Sequence, residues 1–268
     1  MHYICRLPLT MTIPFYKYQG TGNDFIMIDN RQSIFFKNDA KLVASLCDRR
    51  FGIGADGLIL LENDNLSDFK MVYFNADGNR GSMCGNGGRC TVAFAKHLDI
   101  ISDTATFTAV DGIHKAILDE GRVSLQMQEV SEIMIKPNAI FLDTGSPHHV
   151  QLVNDLEDFE VFREGKKLRY GLYGKAGSNI NFVEQLDDFT FAVRTYERGV
   201  EDETLSCGTG VTAVALAMHK TGRTTANEVN IRTQGGDLKV EFEQDGNSYK
   251  NIYLIGPAEQ VFKGEMEC

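Results

Sequence analysis

Two short segments of this chain are near copies, Met83-Cys84-Gly85-Asn86-Gly87 and Ser206-Cys207-Gly208-Thr209-Gly210, and each opens an apolar run of helical length. Cys207 lies 123 positions after Cys84, close to half of the 268 residues. A chain that repeats one station at that spacing is predicted to form two similar halves, each presenting one cysteine to a shared cleft. The runs Cys90 to Ala95 and Val211 to Met218 are apolar on nearly every side. Helices of that kind are buried all round, as in the centre of a barrel or between sheets.

The rest of the pattern is mostly β. Phe25–Ile28, Met71–Phe74, Val123–Met127, Phe189–Val193 and Leu238–Phe242 read as strands, and Asp119-Glu120-Gly121 and Asp245-Gly246-Asn247 as hairpin turns between strands. Asn38-Asp39 can cap a helix through Leu42, Val43 and Leu46. The expected class is therefore α+β, with antiparallel pairing prominent.

The glycine turns indicate what a cysteine there can do. A Cys-Gly-x-Gly turn feeding a helix leaves the first backbone N–H groups unpaired and sets the positive end of the helix dipole beside them. Such a setting is expected to favour thiolate over thiol. Two thiols facing each other across one carbon form an acid/base pair. One takes the α-proton of an amino acid as thiolate, and the other returns a proton to the opposite face as thiol. The N–H groups of Gly85, Asn86, Gly208 and Thr209 are expected to hold the substrate carboxylate while charge builds on it. No Lys stands in a pyridoxal phosphate setting and no strand, G-x-G-x-x-G and helix fingerprint occurs, so no cofactor is expected.

Plainer roles suit the other thiols. A lone cysteine is ordinarily a small core hydrophobe, the reading given to Cys5, Cys47, Cys90 and Cys268. Zinc held by Cys84, Cys90 and His97 matches no common ligand spacing, and no Cys-x-x-Cys redox motif occurs. A net charge of −10 argues against nucleic acid as a partner, and no stretch approaches the roughly 20 apolar residues of a membrane helix. Residues 1–11 read as a flexible extension without a convincing signal peptide, so the six cysteines are expected to be thiols of a reducing cytoplasm.

Three further sites stay open on the residues alone. Gly20-Thr21-Gly22-Asn23 is too short and Lys-free for a P-loop, leaving Asn23 a turn residue or a polar contact, and Asn75 at a strand end has the same two readings. Glu197-Arg198 sets opposite charges side by side, either to read an ammonium and a carboxylate or as a solvated salt-bridge patch.

Taken in order, Gly22-Asn23-Asp24-Phe25, Gly52 to Gly57, Asn75-Ala76-Asp77-Gly78, Met83 to Gly87, Glu197-Arg198-Gly199 and Ser206 to Gly210 resemble the diaminopimelate epimerase family. The resemblance runs from about Thr12 to the C-terminus. It implies a homodimeric isomerase, free of cofactor, that interconverts LL- and meso-diaminopimelate in lysine and peptidoglycan precursor synthesis. It implies that Cys84 and Cys207 are the acid/base residues, that Gly85-Asn86 and Gly208-Thr209 hold the reactive carboxylate, and that Asn23, Asn75, Asn179, Glu197 and Arg198 bind substrate. His148 matches a residue near the cysteines, and Ser146 stands where the family often has Asn. The implied fold is two pseudo-symmetric domains, each a curved, mainly antiparallel or mixed sheet wrapped around a central buried helix. Residues 12–129 with 257–268 would form one domain and 130–256 the other. Proline racemases and hydroxyproline epimerases resemble this chain in their two cysteines but usually carry His in place of Asn86.

Overall fold

The computed structural model describes residues 12–267; the extension expected over residues 1–11, which contains Cys5, lies outside the described residues, as does Cys268. The first half runs β1 (Thr12–Gly20), β2 (Asn23–Asp29), α1 (Ala40–Cys47), β3 (Gly57–Glu62), β4 (Phe69–Asn75), α2 (Gly85–His97), β5 (Thr104–Ala109), β6 (Gly112–Asp119) and β7 (Arg122–Gln126). The second begins with β8 (Ile133–Lys136), β9 (Ala139–Asp143), β10 (Pro147–Leu152), α3 (Val161–Gly171), β11 (Asn179–Gln185) and β12 (Thr190–Glu197). It continues through β13 (Asp202–Thr204), α4 (Gly208–Lys220), β14 (Glu228–Thr233), β15 (Gly236–Asp245) and β16 (Ser248–Pro257), after which β17 (Glu259–Glu267) returns to pair with β1.

The halves repeat one plan. β2 and β3 are parallel, β3 and β4 antiparallel, and β4 and β5 parallel. β10, β11, β12 and β14 follow the same sequence of directions. The 123-residue offset of the cysteines carries α2 onto α4 end to end. The two halves share one hydrogen-bonded sheet, joined where β7 runs antiparallel to β16 with Leu125 opposite Leu254.

The two central helices begin and end alike for physical reasons. Cys84 and Cys207 are their N-caps, and Lys96-His97 and His219-Lys220 put basic groups on the negative ends of the dipoles. Around α2 the sheet packs Phe25, Met27, Ile59, Leu61, Phe69 and Leu125 against Val92 and Phe94. Around α4 it packs Val183, Phe191, Val229, Leu238 and Leu254 against Val214 and Met218. Truncating a side chain such as Phe94, which is fully buried, is expected to cost about 3–5 kcal/mol. No helix of the described residues is long and apolar enough to cross a membrane.

The five expected strands form, in β2, β4, β7, β12 and β15. Both hairpin turns form too, with Glu120, Gly121 and Gly246 at positive φ of 46°, 78° and 60°. Asp39 caps α1 by accepting from the Leu42 N–H at 3.0 Å. The run Phe25–Ile28 differs from a half-buried strand, since all four residues are 0% exposed. Phe25 and Met27 face α2, whereas Ile26 and Ile28 face the cluster that contains Val43 and Cys47 of α1. α1 thus closes the outer face of the sheet, and α3 packs on the outer face in the second half against Ile180, Phe182 and Tyr196.

Candidate active site

Sheet directions decide where the site sits. β2 and β3 both start, and β4 ends, at one edge, with Phe25 opposite Gly57 and Gly57 opposite Asn75. The same edge of the second half brings together the starts of β10 and β11 and the end of β12. Each half also aims the N-terminus of its central helix at its partner, so Gly85 and Gly208 meet with almost no gap. A Cβ built on Gly208 would lie 3.3 Å from the Gly85 Cα. Glycine at both first positions is what permits this approach.

At the first station the partly buried Cys84 thiol donates to Asn23 Oδ1 at 3.5 Å, and Asn86 Nδ2 donates to the same oxygen at 3.3 Å. Asn86 also crosses to the other half, donating to the Ser206 carbonyl at 3.0 Å. Asn86 is 1% exposed and its Oδ1 has no partner among the described residues, an acceptor left open beside the two helix starts. Asn23 is fixed from behind. Its Nδ2 donates to Asp56 Oδ2 at 2.7 Å, Asp56 pairs with Arg49 at 2.7 Å, and Arg49 and Lys17 both pair with Asp24. Burial alone would raise the Asp24 carboxyl, but its bonds to Arg49 and Lys17 outweigh that and hold it down at about 2.

At the second station Cys207 is buried and its Sγ lies 3.5 Å from Thr209 Oγ1. Thr209 Oγ1 is 2.9 Å from His148 Nε2, and His148 Nδ1 is 3.1 Å from Asn181 Nδ2. Asn181 is oriented by donating to the His149 carbonyl and accepting from Thr195, so it donates to Nδ1 and leaves the His148 proton on Nε2. Thr209 therefore accepts from His148 and can donate to the Cys207 sulfur. Asn179 Nδ2 donates to Ser146 Oγ at 2.7 Å, and Asn179 Oδ1 accepts the Arg198 N–H at 2.8 Å.

The electrostatics depart from the sequence expectation. Burial pushes the Cys84 thiol up to about 11, against N–H groups of Gly87 and Asn86 that pull it down, and Glu197 adds to the rise. Burial pushes Cys207 up as well, again with Glu197 and against Thr209 and the Gly210 N–H. The helix N-termini do favour thiolate, but removal from water is the larger effect, so both sulfurs favour the neutral thiol. Burial and the Arg198 charge hold His148 down at about 3 despite its bond to Asn181, which keeps the ring neutral. Burial also raises the Glu197 carboxyl, whose Oε2 accepts from Thr204 at 2.9 Å.

Most residues singled out in the sequence come together here: Cys84, Gly85, Asn86 and Asn23 from one half, and Cys207, Gly208, Thr209, His148, Ser146, Asn179 and Glu197 from the other. Asn75 and Arg198 lie on the exposed rim, at the ends of β4 and β12; the Arg198 N–H ties that rim to Asn179, while its Nη1 donates to the Ala176 carbonyl. Cys90 lies in the core of the first half, as its packing role requires. The structure adds Asp56, Thr21, Ser206 and Arg89 to the site. Thr21 Oγ1 donates to Ser206 Oγ at 3.0 Å, linking the halves. Asp56 lies in the Gly52 to Gly57 segment, and Arg89 follows Gly85 by four residues, one helical turn; these are the signals the sequence carries for them.

Comparisons with known proteins fit this geometry. The family model for diaminopimelate epimerase matches residues 15–132 and 140–261. The diaminopimelate epimerase of Flavobacterium psychrophilum is 62% identical over 250 residues, covering 92% of this chain and 98% of the relative. That of Chlorobaculum tepidum is 44% identical over 257 residues, covering 91% and 98%. Among solved structures, a PhzF-family phenazine biosynthesis protein from Bacillus anthracis superposes with a TM-score of 0.76 at 14% identity, over 96% of this chain and 99% of that one. A hydroxyproline epimerase from Agrobacterium vitis superposes with a TM-score of 0.72 at 13% identity, over 97% and 94%. These two share the fold, two sheet-wrapped helices facing each other. With 62% identity across nearly its whole length and a family match in both halves, the chain belongs to the diaminopimelate epimerase family of isomerases.

Proposed function

We propose that the protein interconverts LL- and meso-2,6-diaminopimelate by proton transfer between Cys84 and Cys207 at one α-carbon, as a cytoplasmic homodimer serving lysine and peptidoglycan precursor synthesis. The observation that carries this reading is the pair of cysteine N-caps on helices that abut at Gly85 and Gly208. One sulfur, as thiolate, takes the α-proton from one face, and the other, as thiol, delivers its proton to the opposite face. The enzyme is left with the two protonation states exchanged. Charge that builds on the substrate carboxylate meets the free N–H groups of Gly85-Asn86 and Gly208-Thr209 at two positive dipole ends.

Asn23, Asn75, Asn179, Glu197 and Arg198 recognise the substrate, including its distal amino-acid end, while Ser146 and His148 position Asn179 and Thr209. The polar rim formed by Asn75 and Arg198 supports that division of labour, since a distal ammonium and carboxylate both need partners. The domain division, 12–129 with 257–268 and 130–256, belongs to the same proposal; the return of β17 to β1 supports it. The cytoplasmic, dimeric state rests on the family resemblance.

LL-diaminopimelate in deuterated buffer, with reduced protein and no added cofactor, is expected to give meso product carrying α-deuterium, while proline does not react. Cys84→Ala and Cys207→Ala are each expected to abolish turnover with native circular dichroism. Full activity in either variant rejects the two-thiol mechanism, and racemisation of proline instead rejects the substrate.

A further inference from the structure

We infer that Arg89 is a positioning residue that breaks the symmetry of the two stations and makes Cys84, ahead of Cys207, the thiol that ionises in the resting enzyme. The inference deepens the two-thiol reading and rests on it.

Arg89 is 0% exposed, yet no carboxylate among the described residues pairs with it. Its guanidinium donates to three neutral acceptors at long distance: Thr21 Oγ1 at 3.3 Å, the Pro257 carbonyl at 3.4 Å and the Gly85 carbonyl at 3.5 Å. Two glycines shape its pocket. A Cβ on Gly20 would lie 3.3 Å from Nη2, and one on Gly256 3.2 Å from Nε. Burying a cation without an anion is unfavourable, and a hydrophobic residue of similar volume would ordinarily be as stable. A fold that keeps such a charge directly under the Cys84 turn has a use for it when an anion forms there.

The internal repeat supplies the comparison. The position 123 residues after Arg89 is Thr212, one turn into α4, and its Oγ1 donates to the Gly208 carbonyl at 3.0 Å. Both side chains thus reach the first carbonyl of their own helix, but one carries a full positive charge and the other none. The N–H donors, the dipoles and the glycines are matched; this charge is not.

The remaining groups do not cancel the difference. Arg89 faces Cys84, Cys90 and Arg122; burial holds it down at about 10, so it stays charged at neutral pH. Cys90, raised by burial to about 12, stays a neutral thiol and leaves the guanidinium uncompensated. Glu197 disfavours thiolate at both sulfurs, and Tyr73 near Cys84 is neutral because burial raises it. Thr209 Oγ1 favours thiolate at Cys207, but as a neutral hydroxyl 3.5 Å from the sulfur it opposes a full charge, and His148 reaches Cys207 only through Thr209 and is neutral as well. Asn23 Oδ1 accepts from the Cys84 thiol and pulls the other way, but as a long bond to a neutral amide it opposes a full charge. Both thiols rest mostly neutral, and the thiolate that does form is concentrated on Cys84, so the enzyme is set to take the α-proton that faces Cys84.

Site-resolved alkylation tests this without turnover. The intact reduced protein is treated briefly with iodoacetamide from about pH 7 to pH 12, digested, and the Cys84 and Cys207 peptides are quantified by mass spectrometry. The midpoint of each rate profile reports ionisation and its plateau reports access; because burial itself raises a midpoint, the Arg89 variants carry the assignment to the charge. Cys84 is expected to have the lower midpoint. In Arg89→Met that midpoint rises by about one pH unit, a roughly tenfold slower reaction below it, while Cys207 moves less and Arg89→Lys restores the native profile. A lower midpoint at Cys207 in the native protein overturns the proposal whether or not the variants fold, and so does an unmoved or equally moved Cys84 in a folded Arg89→Met protein. A protein that alkylates in the expected order but fails to epimerise diaminopimelate rejects the substrate assignment instead.

Discussion

Gly85 and Gly208 are held so close that a methyl group on Gly208 would lie 3.3 Å from the Gly85 Cα and 2.9 Å from Leu254 Cδ2. Gly208→Ala places no strain on the first helical turn, which accepts Ala readily, so its whole effect is steric. Overpacking of this kind costs about 1–3 kcal/mol, and a displacement of a reacting group by about 1 Å can cost a hundredfold in rate. We expect kcat/KM to fall at least tenfold with a modest loss in urea stability. Native activity in the variant would show that the close approach of the helices is not needed for proton transfer.

Asp56 orients Asn23 from outside the cysteine pair. Its carboxylate takes the Asn23 Nδ2 hydrogen at 2.7 Å, which turns Oδ1 inward to Cys84 and Asn86. Asp56→Ala frees the amide to rotate, so kcat/KM is expected to fall about tenfold, equivalent to about 1.4 kcal/mol of transition-state stabilisation. The Asp56 side chain is 44% exposed, so the melting temperature should change little. A loss confined to thermal stability would reduce Asp56 to a surface ion pair.

The sequence made the two cysteine turns, the central helices and five strands readable because each depends on neighbours in the chain: a glycine turn, an apolar run, an alternation. What it concealed depends on distant partners. Asp56 reaches Asn23 only because β2 and β3 pair in parallel, bringing residues 33 apart together. The burial of Ile26 and Ile28 requires α1 on the outer face. α3 carries Arg163, Glu164, Lys166, Lys167 and Arg169 among few apolar residues, so its periodicity is masked until Val161 and Leu168 meet the sheet. The thiols depart from the sequence expectation for the same reason: a helix N-terminus is visible locally, whereas the burial that outweighs it is a property of the whole fold.

His148 links acid sensitivity to the second station. Burial depresses its folded-state value to about 3, while the unfolded chain takes up the proton near 6.5. A depressed group contributes stability that is complete above the unfolded value, so this contribution is lost as pH falls from about 6.5 toward 3, by about 1.4 kcal/mol per pH unit. Between about pH 7.5 and pH 5 the native protein should lose about 2 kcal/mol more than His148→Gln in urea unfolding. Parallel losses in the two proteins would mean that the imidazole is protonated in the folded state.

Thr209 offers a test at the opposite sulfur from Arg89. Its hydroxyl accepts the His148 Nε2 hydrogen at 2.9 Å and lies 3.5 Å from the Cys207 sulfur, where it favours the thiolate. Thr209→Val keeps the shape of the side chain and removes the donor, so the Cys207 alkylation midpoint should rise while that of Cys84 stays in place. The sign follows from the bond: losing a donor to sulfur destabilises the anion, and the thiol holds its proton to higher pH. His148 Nε2 also loses its nearest acceptor, at a cost of about 1–3 kcal/mol in stability. Epimerisation should slow in both directions, with kcat/KM falling about tenfold in each, because a catalyst cannot move the equilibrium. Slowing with neither midpoint moved would assign Thr209 to substrate binding alone.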